Sequence, residues 1–222
     1  MTEPAKRTTP LPQPPDGLVF DLDGTLWNTN ESCARGWNNV LSRHGIPYRA
    51  ITADDVGRVA GLPHEQCIRN TFRELSEAHI QLISAETALE DNRMVEQHGG
   101  TLYPGVSEGL RELARHFPLF IVSNCQAGYI ELFLQHSGLG ALFRDVECWG
   151  NTGQPKTDNL RQVLERNAVT RAWFVGDTTG DQVAARACGV PFIFAAYGFG
   201  QCDDADLRID VFTDLVSALG LL

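Results

Sequence analysis

The sequence predicts a doubly wound α/β fold, in which helices cover both faces of a parallel sheet, with an α-helical domain inserted near its start. Short apolar runs recur along the chain, and a helix-patterned segment separates each run from the next. Short strands separated by helices are typical of a parallel sheet buried on both faces. The stretch 30–98 predicts the insertion, because it has helical patterning and almost no strand-like run.

Six strands and five helices are expected in the sheet-forming part. The strands are predicted at Gly17–Phe20, Leu119–Val122, Val146–Cys148, Ala172–Val175, Phe192–Ala195 and Val211–Phe212. The helices are predicted near residues 106–116, 128–137, 158–167, 180–188 and 213–220. Alternation of this kind places strands and helices in separate layers.

The chain is predicted to divide into a tail, a core and a cap. Residues 1–16 carry five prolines and little that could anchor them, so we expect a flexible tail there. Residues 17–29 and 99–222 would form the α/β core, and residues 30–98 the helical cap. The cap would leave the core directly after the first strand and return to it near Tyr103.

Two sequence features predict where helices begin or end within the cap. The segment Thr52-Ala-Asp-Asp55 resembles a capping box, in which a threonine and an acidic residue satisfy each other's backbone N–H groups. A further helix is predicted to start at Ser84 and continue to about Glu96, with Gly99-Gly100 ending it.

The composition is that of an ordinary globular protein. Of its 222 residues, 43% are hydrophobic and 21% charged. The net charge of −10 argues against a nucleic-acid or anionic-membrane partner, since no basic patch compensates it. No apolar run approaches the roughly 20 residues that span a bilayer, and the N-terminus lacks a signal-peptide apolar region. We therefore expect a cytoplasmic protein.

Six cysteines are scattered at positions 33, 67, 125, 148, 188 and 202, without a C-x-x-C pair. Free, mostly buried thiols in a reducing compartment fit this pattern better than a disulfide framework or a zinc site. Cys125 stands out because it follows the predicted functional segment Ser123-Asn124. We expect a structural role for it, and a redox role is the alternative.

Two carboxylates lie two residues apart at the end of the first predicted strand. Asp21 and Asp23 follow the apolar run Leu18–Phe20. Gly24 and Thr25 come next, and the glycine lets the backbone turn. One carboxylate of such a pair can attack phosphorus while the other moves a proton. Taken alone, the segment is also compatible with an ordinary turn.

Polar residues follow two further predicted strands. Ser123 and Asn124 come after the second strand, and Asp177 follows the fourth, with Asp181 four residues on. Ligands of an open parallel sheet bind outside the carboxyl ends of its strands, so these residues are expected at one edge with the first pair. The hydroxyl of Ser123 suits holding a phosphoryl oxygen.

Four carboxylates would then lie close together. Bare carboxylates at such spacing either raise one another's pKa or bind a cation. An all-oxygen site beside a phosphate suits Mg²⁺, with ligands expected among Asp21, Asp23, Asp177 and Asp181. The alternative for segment 176–181 is a plain turn into a helix with Thr or Asp as its cap.

Lys156 is the only lysine besides Lys6, and arginine supplies the other 16 cations. A compact ammonium can contact a carboxylate and a phosphoryl oxygen together, where a forked guanidinium fits differently. The segment 153–158 is a loop entering a helix, where backbone N–H groups also favour anions. A surface lysine is the alternative, but a chain that otherwise avoids lysine favours a functional one.

These residues resemble the haloacid-dehalogenase (HAD) superfamily of phosphatases, and the match covers essentially everything after residue 16. The four segments that carry it occur in order: Asp21-Leu-Asp-Gly-Thr-Leu, Val122-Ser-Asn, the Lys156 loop and Gly176-Asp-Thr-Thr-Gly-Asp181. The resemblance implies a Rossmann-like core with the helical insertion as its cap. Tyr197-Gly-Phe-Gly200 resembles the phosphoglycolate-phosphatase-like branch.

By this resemblance, Asp21 would be the nucleophile that forms an aspartyl-phosphate, and Asp23 the general acid and base. Ser123 and Lys156 would bind and neutralise the transferring phosphoryl group. The implied enzyme is a Mg²⁺-dependent phosphoric monoester hydrolase acting on a small phosphorylated metabolite.

The resemblance also implies which residues hold the substrate and the ion. Substrate contacts are expected from Gly24, Thr25 and Asn124. Mg²⁺ would be held by the Asp21 carboxylate, the Asp23 backbone carbonyl and Asp177, with Asp181 as a further ligand or a support. Asn28 departs from the family pattern, since many relatives carry Asp there, and this bears on the hinge or on substrate entry.

Single residues argue for or against the other reactions that the family catalyses. Dehalogenation needs no second carboxylate, so Asp23 favours phosphate substrates. Cleaving a phosphonate through a Schiff base needs a cap lysine, and the sequence of the cap has none, which also weakens a β-phosphoglucomutase-like interpretation. A phosphotransferase or mutase, a pyrophosphatase and a non-catalytic phosphate-binding regulator remain alternatives. The substrate and the oligomeric state stay open.

The charge of the cap is uneven, with a basic first part and an acidic stretch at 74–96. The basic part holds Arg35, Arg43, Arg49, Arg58, Arg69 and Arg73. Some of these could face the site and select a second anionic group on the substrate, and a solvated helix face is the alternative. His64 is placed in the segment expected to approach the core loops.

Overall fold

Eight strands and ten α-helices make up residues 13–221, the part of the chain that the computed structural model describes. The strands are β1 Gly17–Phe20, β2 Trp27–Asn28, β3 Thr101–Leu102, β4 Leu119–Ser123, β5 Phe143–Cys148, β6 Ala172–Gly176, β7 Phe192–Ala195 and β8 Leu207–Ile209. The helices are α1 Asn30–Arg43, α2 Ala53–Gly57, α3 His64–Thr71, α4 Glu77–His98, α5 Val106–Leu113, α6 Tyr129–Ser137, α7 Trp149–Thr152, α8 Lys156–Arg166, α9 Thr179–Ala187 and α10 Thr213–Ala218.

Six strands form one parallel sheet in the order β5-β4-β1-β6-β7-β8. Strand β1 lies at its centre, with Leu18 opposite Leu119 of β4 and opposite Trp173 of β6. Alternate residues pack on opposite faces, so Leu18 and Phe20 belong to one apolar cluster and Val19 to another. Both clusters are covered by helices, which confirms the predicted doubly wound α/β fold.

The strand order places the loops of the site. After β1 the sheet extends through β4 to β5, and the chain then returns to the other side of β1 to add β6, β7 and β8. This reversal beside β1 is a topological switch point, where the loops after neighbouring strands diverge and leave a crevice. The residues that follow β1, β4 and β6 therefore meet at one edge of the sheet.

Helices α1–α4 fall within the stretch for which the sequence predicts a helical insertion. The chain enters and leaves it through a two-stranded antiparallel ribbon, in which Trp27 pairs with Leu102 and Asn28 with Thr101. Each strand of the ribbon has only two residues, which is too short for an alternating pattern that would predict the ribbon from the sequence.

The predicted strand at Val211–Phe212 is wrong. The Asp214 carboxylate accepts the backbone N–H groups of Asp210 and Val211, which ties this segment into a turn before α10. The last sheet strand is instead β8, which ends two residues before Val211, and its Ile209 pairs with Ala195. Phe212 is buried and stacks on Phe20, which explains its apolar character without a strand.

The predicted helix start at Ser84 is also wrong, because α4 begins at Glu77. Ser76 caps it by accepting the backbone N–H of His79 at 3.3 Å, and Ser84 lies inside the helix. The capping box between Thr52 and Asp55 is confirmed at the start of α2. Although α4 has 22 residues, no helix within residues 13–221 is both long and apolar enough to cross a bilayer.

The first described residues contact the core, although they lie in the segment expected to be a tail. The Asp16 carboxylate accepts the Thr170 hydroxyl at 2.7 Å and the Arg171 backbone N–H at 2.9 Å. The Gln13 carbonyl accepts the indole N–H of Trp173 at 2.9 Å. The remainder of that expectation, residues 1–12, lies outside the described residues.

Two helical glycines give a matched test of the packing between α5 and α10. A Cβ at Gly109 would lie 2.6 Å from ring atoms of Phe212, whereas one at Gly180 of α9 would meet Thr178 Oγ1 at an ordinary 3.5 Å. We expect Gly109→Ala to lower the free energy of unfolding by about 1–3 kcal/mol through overpacking. Gly180→Ala should leave it unchanged or raise it by up to ~1 kcal/mol, the helix propensity gain.

Urea denaturation followed by circular dichroism measures both variants. A Gly109→Ala protein as stable as the Gly180→Ala protein would contradict the close approach of α5 to Phe212.

Candidate active site

The fold brings the predicted site residues together at the carboxyl edge of the sheet. Asp21 directly follows β1, Ser123 is the last residue of β4, and Asp177 directly follows β6. Lys156 is the first residue of α8, and Asp181 lies in the first turn of α9. Residues up to 160 positions apart in the sequence thus share one small volume.

Lys156 joins two carboxylates in the interior. Its Nζ donates to Asp21 Oδ1 at 2.8 Å and to Asp181 Oδ1 at 2.6 Å. The lysine is 5% exposed, Asp21 1% and Asp181 0%. Burial alone would lower the pKa of Lys156, but the charges of Asp181 and Asp21 raise it above its usual value, so the ammonium stays protonated.

Three buried carboxylates surround this ammonium. Oxygens of Asp21, Asp177 and Asp181 lie within 4.8 Å of one another. Burial, followed by repulsion from Asp181, raises the pKa of Asp21 to about 7. Burial and the charges of Asp181 and Asp21 also raise the pKa of Asp177 well above its usual range. A cluster in which carboxylates oppose one another's ionisation is one that a cation would stabilise.

The donor set of the cluster fits a divalent ion such as Mg²⁺. Asp21 Oδ2 is buried and has no hydrogen-bond partner among the described residues. Three carboxylates around one ammonium leave an excess of two negative charges when all are ionised. Carboxylate oxygens are the ligands that hard divalent cations prefer. Asp21 and Asp177 have the chemistry to hold such an ion.

Asp177 is held in place by the backbone around it. Its Oδ2 accepts the backbone N–H of Phe199 at 2.7 Å, and its Oδ1 accepts the Thr25 hydroxyl at 3.4 Å. Gly24 has a φ of +83°, and a Cβ there would lie 2.1 Å from Asp177 Oδ2. A Cβ at Gly198 would lie 2.3 Å from Asp177 Cβ. The two glycines therefore make room for the carboxylate.

Asp181 caps helix α9 and also contacts Lys156 in the site. Its Oδ2 accepts the backbone N–H of Thr178 at 2.9 Å and the Thr178 hydroxyl, forming a capping box at the start of α9. Its Oδ1 is occupied by Lys156. The sequence alternative for segment 176–181, a turn that caps a helix, is thus correct, and the same carboxylate still reaches the buried cluster.

Asp23 lies apart from Lys156, on the cap side of the site. Its Oδ1 accepts the Tyr129 hydroxyl at 2.8 Å and the Thr29 hydroxyl at 3.3 Å. Burial raises the pKa of Asp23 to about 6. A carboxyl with that pKa can both release and accept a proton near neutral pH. The sequence did not reveal Tyr129, since nothing in it links two residues 106 positions apart.

A cavity of about 80 Å³ lies between these core loops and the cap. Asp21, Asp23, Ser123 and Asn124 line its core side. Asn124 Nδ2 also donates to the Gly61 carbonyl at 2.8 Å, which ties the core loop to the cap. The expected substrate residues Gly24 and Thr25 lie behind Asp21, beside Asp177.

His64 and Asp91 are among the cap residues that line the same cavity. The expectation that His64 lies near the core loops agrees with this position. Burial lowers the pKa of His64 to about 4 and raises that of Asp91 well above its usual range. Sequence reasoning missed Asp91, although it falls on the helical stripe that also holds the buried Ile83 and Thr87.

The cap arginines lie away from the cavity. Arg43 pairs with acidic residues of α4, Arg49 and Arg58 pair with Asp55, and Arg69 pairs with Glu65 and Glu77. Arg35 and Arg73 line other surface grooves. Among the residues lining the cavity at Asp21, within the described part of the chain, there is no arginine or lysine. Arg35 and Arg58 do line a neighbouring groove that shares Thr29 and Asn30 with this cavity, so the selection of a second anionic group by an early cap arginine stays a prediction.

Cys125 lines the cavity but is buried, and its burial raises the pKa of the thiol well above its usual value. A thiol kept protonated is a poor nucleophile and oxidises slowly. This favours the structural role expected for Cys125.

Comparison with known proteins agrees with the fold. The family model described as haloacid dehalogenase-like hydrolase matches residues 18–195. Phosphoglycolate phosphatase of Yersinia pseudotuberculosis is 28% identical over 221 residues, covering 92% of this chain and 93% of that protein. Phosphoglycolate phosphatase of Rhodobacter capsulatus is 30% identical over 190 residues, covering 82% of this chain and 84% of that protein.

Solved structures show the same fold. A predicted phosphoglycolate phosphatase from Haemophilus somnus matches with a TM-score of 0.79 at 21% identity, covering 91% of this chain and 96% of that one. CbbY from Rhodobacter sphaeroides, solved with phosphate, matches with a TM-score of 0.77 at 20% identity, covering 93% of this chain and 100% of that one. The chain belongs to the haloacid dehalogenase-like hydrolase family.

Proposed function

We propose that this hydrolase is a cytoplasmic, Mg²⁺-dependent phosphatase that cleaves a small phosphate monoester through an aspartyl-phosphate at Asp21. The proposal rests on the contacts of the two carboxylate oxygens of Asp21. Lys156 holds one of its oxygens at 2.8 Å, and the other is buried with no partner among the described residues. The names of the relatives, phosphoglycolate phosphatase, support the same class of reaction.

The reaction divides into two displacements at phosphorus. The Asp21 carboxylate attacks phosphorus, the bond from phosphorus to the ester oxygen breaks, and Asp23 gives its proton to the departing alkoxide. Asp23, now a carboxylate, takes a proton from water, the hydroxyl oxygen attacks phosphorus, and the bond from phosphorus to the Asp21 oxygen breaks. Inorganic phosphate leaves, and Asp21 returns to its starting state. A pKa of about 6 suits Asp23 to both halves of this cycle.

The remaining side chains position and neutralise the phosphoryl group. Lys156 orients Asp21 and offsets the charge of the transferring oxygens, and Ser123 offers a hydroxyl at the end of β4. Asn124 would contact the substrate as well, while Gly24 and Thr25 shape the turn after β1 that lies against Asp177. Phosphoryl transfer depends mostly on positioning and on charge stabilisation, which is the work these groups can do.

Mg²⁺ would be held by the carboxylates of Asp21 and Asp177 and the backbone carbonyl of Asp23. When bound, it supplies positive charge that screens the nucleophile from the phosphate dianion. Asp181 supports this site by fixing Lys156, with which it forms a hydrogen bond of 2.6 Å.

Asp21→Asn tests the nucleophile. The amide keeps the shape of the side chain and cannot attack phosphorus, so hydrolysis of an aryl phosphate should fall on the order of 10³-fold or more. Asp16→Asn is the matched control, because Asp16 bonds only to the segment at Thr170 and Arg171. Release of the aryl alcohol measures both. Turnover that survives Asp21→Asn would refute the assignment.

Lys156→Met tests the buried ion cluster. Removing the ammonium leaves Asp21 and Asp181 without their cation, so the free energy of unfolding should fall by about 3–5 kcal/mol in the absence of metal. Adding Asp21→Asn to this variant removes one of the two carboxylates and should restore part of the stability, but no activity. Urea denaturation measures all three proteins. Equal stability of wild type and Lys156→Met would contradict the pairing.

Asp177→Asn tests the ion site without relying on turnover. Mg²⁺ should raise the melting temperature of the wild type, because an ion that binds only the folded state stabilises it. The variant should need at least about tenfold more Mg²⁺ for the same rise, a loss of roughly 1.4 kcal/mol in binding. Asp158→Asn, which alters an exposed pair with Arg161, is the control. An unchanged Mg²⁺ dependence in Asp177→Asn would remove Asp177 from the site.

A further inference from the structure

The carboxyl group of Asp23, the acid and base of the proposed reaction, is oriented by hydroxyl groups and not by a cation. Its backbone is fixed, because Asp23 forms a β-bridge with Trp27. Lys156 pairs with Asp21, and within the described part of the chain no lysine or arginine forms an ion pair with Asp23. The direction of the carboxyl group therefore depends on the hydroxyls that contact it.

One oxygen of this carboxyl group is occupied and the other is free. Tyr129 donates its hydroxyl proton to Asp23 Oδ1 at 2.8 Å, and Thr29 Oγ1 lies 3.3 Å from the same oxygen and also contacts the Tyr129 hydroxyl. Asp23 Oδ2 accepts no hydrogen bond from the described residues, and unlike Asp21 Oδ2 it is not fully buried. Because Asp23 lines the cavity together with Asp21, Oδ2 is the oxygen left for the reacting group.

The Tyr129 side chain is itself held rigidly. Tyr129 is 3% exposed, and its ring packs edge-on against Trp27 with the ring centroids 5.6 Å apart. It is the first residue of α6, and Gly128 before it has a φ of +84°, which lets the chain turn into the helix. A tyrosine side chain has only two rotatable bonds, so packing of the ring fixes the position of the hydroxyl.

A neutral hydroxyl suits a carboxyl group that acts first as an acid and then as a base. It can donate to Asp23 Oδ1 both when the carboxyl carries its proton on Oδ2 and when the carboxyl is ionised. An ammonium or guanidinium in the same place would favour the ionised form and oppose proton donation. Tyr129 can therefore hold the direction of the carboxyl group through both steps of the reaction.

We propose that Tyr129 is a positioning residue, whose hydroxyl holds Asp23 so that Oδ2 faces the departing oxygen. It rests on the proposed phosphatase function. As the bond from phosphorus to the ester oxygen breaks, that oxygen keeps the electron pair and takes the proton of Asp23 Oδ2, and water returns a proton to Oδ2 in the second displacement. Acid or base catalysis of this kind contributes on the order of 10²–10⁴-fold, and part of it is lost when the carboxyl group can turn away.

Tyr129→Phe removes the hydroxyl and keeps the ring. The test compares kcat/KM for benzyl phosphate and for 4-nitrophenyl phosphate with Mg²⁺ present. The benzyl alkoxide needs a proton as it leaves, whereas 4-nitrophenolate is a stable anion and does not. We expect kcat/KM for benzyl phosphate to fall about tenfold or more, while that for 4-nitrophenyl phosphate stays within about twofold.

The second displacement gives an independent readout. Both esters form the same aspartyl-phosphate, and its hydrolysis needs Asp23 as a base. For 4-nitrophenyl phosphate we therefore expect kcat and KM of Tyr129→Phe to fall together, because the aspartyl-phosphate accumulates while kcat/KM is kept. A merely structural role would lower kcat without lowering KM, and would affect the two esters equally.

Two further variants complete the experiment. Tyr48→Phe is the matched control, since the Tyr48 hydroxyl donates to the Thr71 carbonyl at 2.9 Å in the cap, and it should leave the ratio of the two esters unchanged. Asp23→Asn closes a double-mutant cycle. Because Tyr129 acts through Asp23, adding Tyr129→Phe to Asp23→Asn should change kcat/KM for benzyl phosphate by less than about twofold.

The proposal is overturned if Tyr129→Phe keeps the wild-type ratio of the two esters, or if it lowers benzyl phosphate hydrolysis as much in Asp23→Asn as in the wild type. Both results leave the phosphatase function standing when Asp23→Asn itself discriminates against benzyl phosphate. A wild type that hydrolyses only 4-nitrophenyl phosphate, or an Asp23→Asn protein with the wild-type ratio, would remove the acid role of Asp23 and this proposal with it. Inactivity of the wild type toward both esters would remove the phosphatase function as well.

Discussion

The contact of the Lys156 ammonium with Asp21 and Asp181 is the interaction on which the site depends. Three carboxylates that have lost their water oppose one another's ionisation, and a single ammonium satisfies only part of their charge. The excess of two negative charges and the unpartnered oxygen of Asp21 make the cluster incomplete without a further cation. A divalent ion and a phosphate dianion together would complete it, so the features that cost folding energy are those that favour binding.

The fold tolerates this cluster because apolar packing surrounds it. Strands β1, β4 and β6 are buried along their whole lengths, and each ends in a loop that carries one part of the site. Two loops approach closely only because glycine occupies the contact: Gly24 and Gly198 both lie where a Cβ would strike Asp177. The capping box of α9 orients Asp181, whose other oxygen contacts Lys156. Local backbone geometry, rather than side-chain flexibility, therefore sets the distances.

Much of this could be predicted from the sequence, because the fold class and the strand-end residues follow from short-range patterns. The apolar runs gave the strands, and the polar residues directly after them had to meet at one edge of a parallel sheet. The scarcity of lysine drew attention to Lys156, which is buried between carboxylates. The strand predicted at Val211–Phe212 was misplaced because these residues are apolar for another reason. Phe212 packs on Phe20 in the folded protein.

Contacts between distant segments were not predictable. The hydrogen bond from Tyr129 to Asp23 and the approach of His64 to Asp91 depend on how cap and core helices pack, and no local pattern encodes them. The two-residue strands β2 and β3 are too short for a periodic signal. Asp91 was visible only as one of several acidic residues, because its burial depends on the packing of α4 against α1. The cap contacts that surround the substrate cavity are thus harder to predict from the sequence than the catalytic residues.

The most direct measurement is to identify the phosphorylated residue. The enzyme is mixed with Mg²⁺ and an aryl phosphate, quenched in acid within the first turnover, digested and analysed by mass spectrometry. We expect a peptide heavier by one phosphoryl group, with the added mass on Asp21 and absent from Asp23. Phosphorylation of Ser123, or continued turnover with no adduct at any time point, would contradict it.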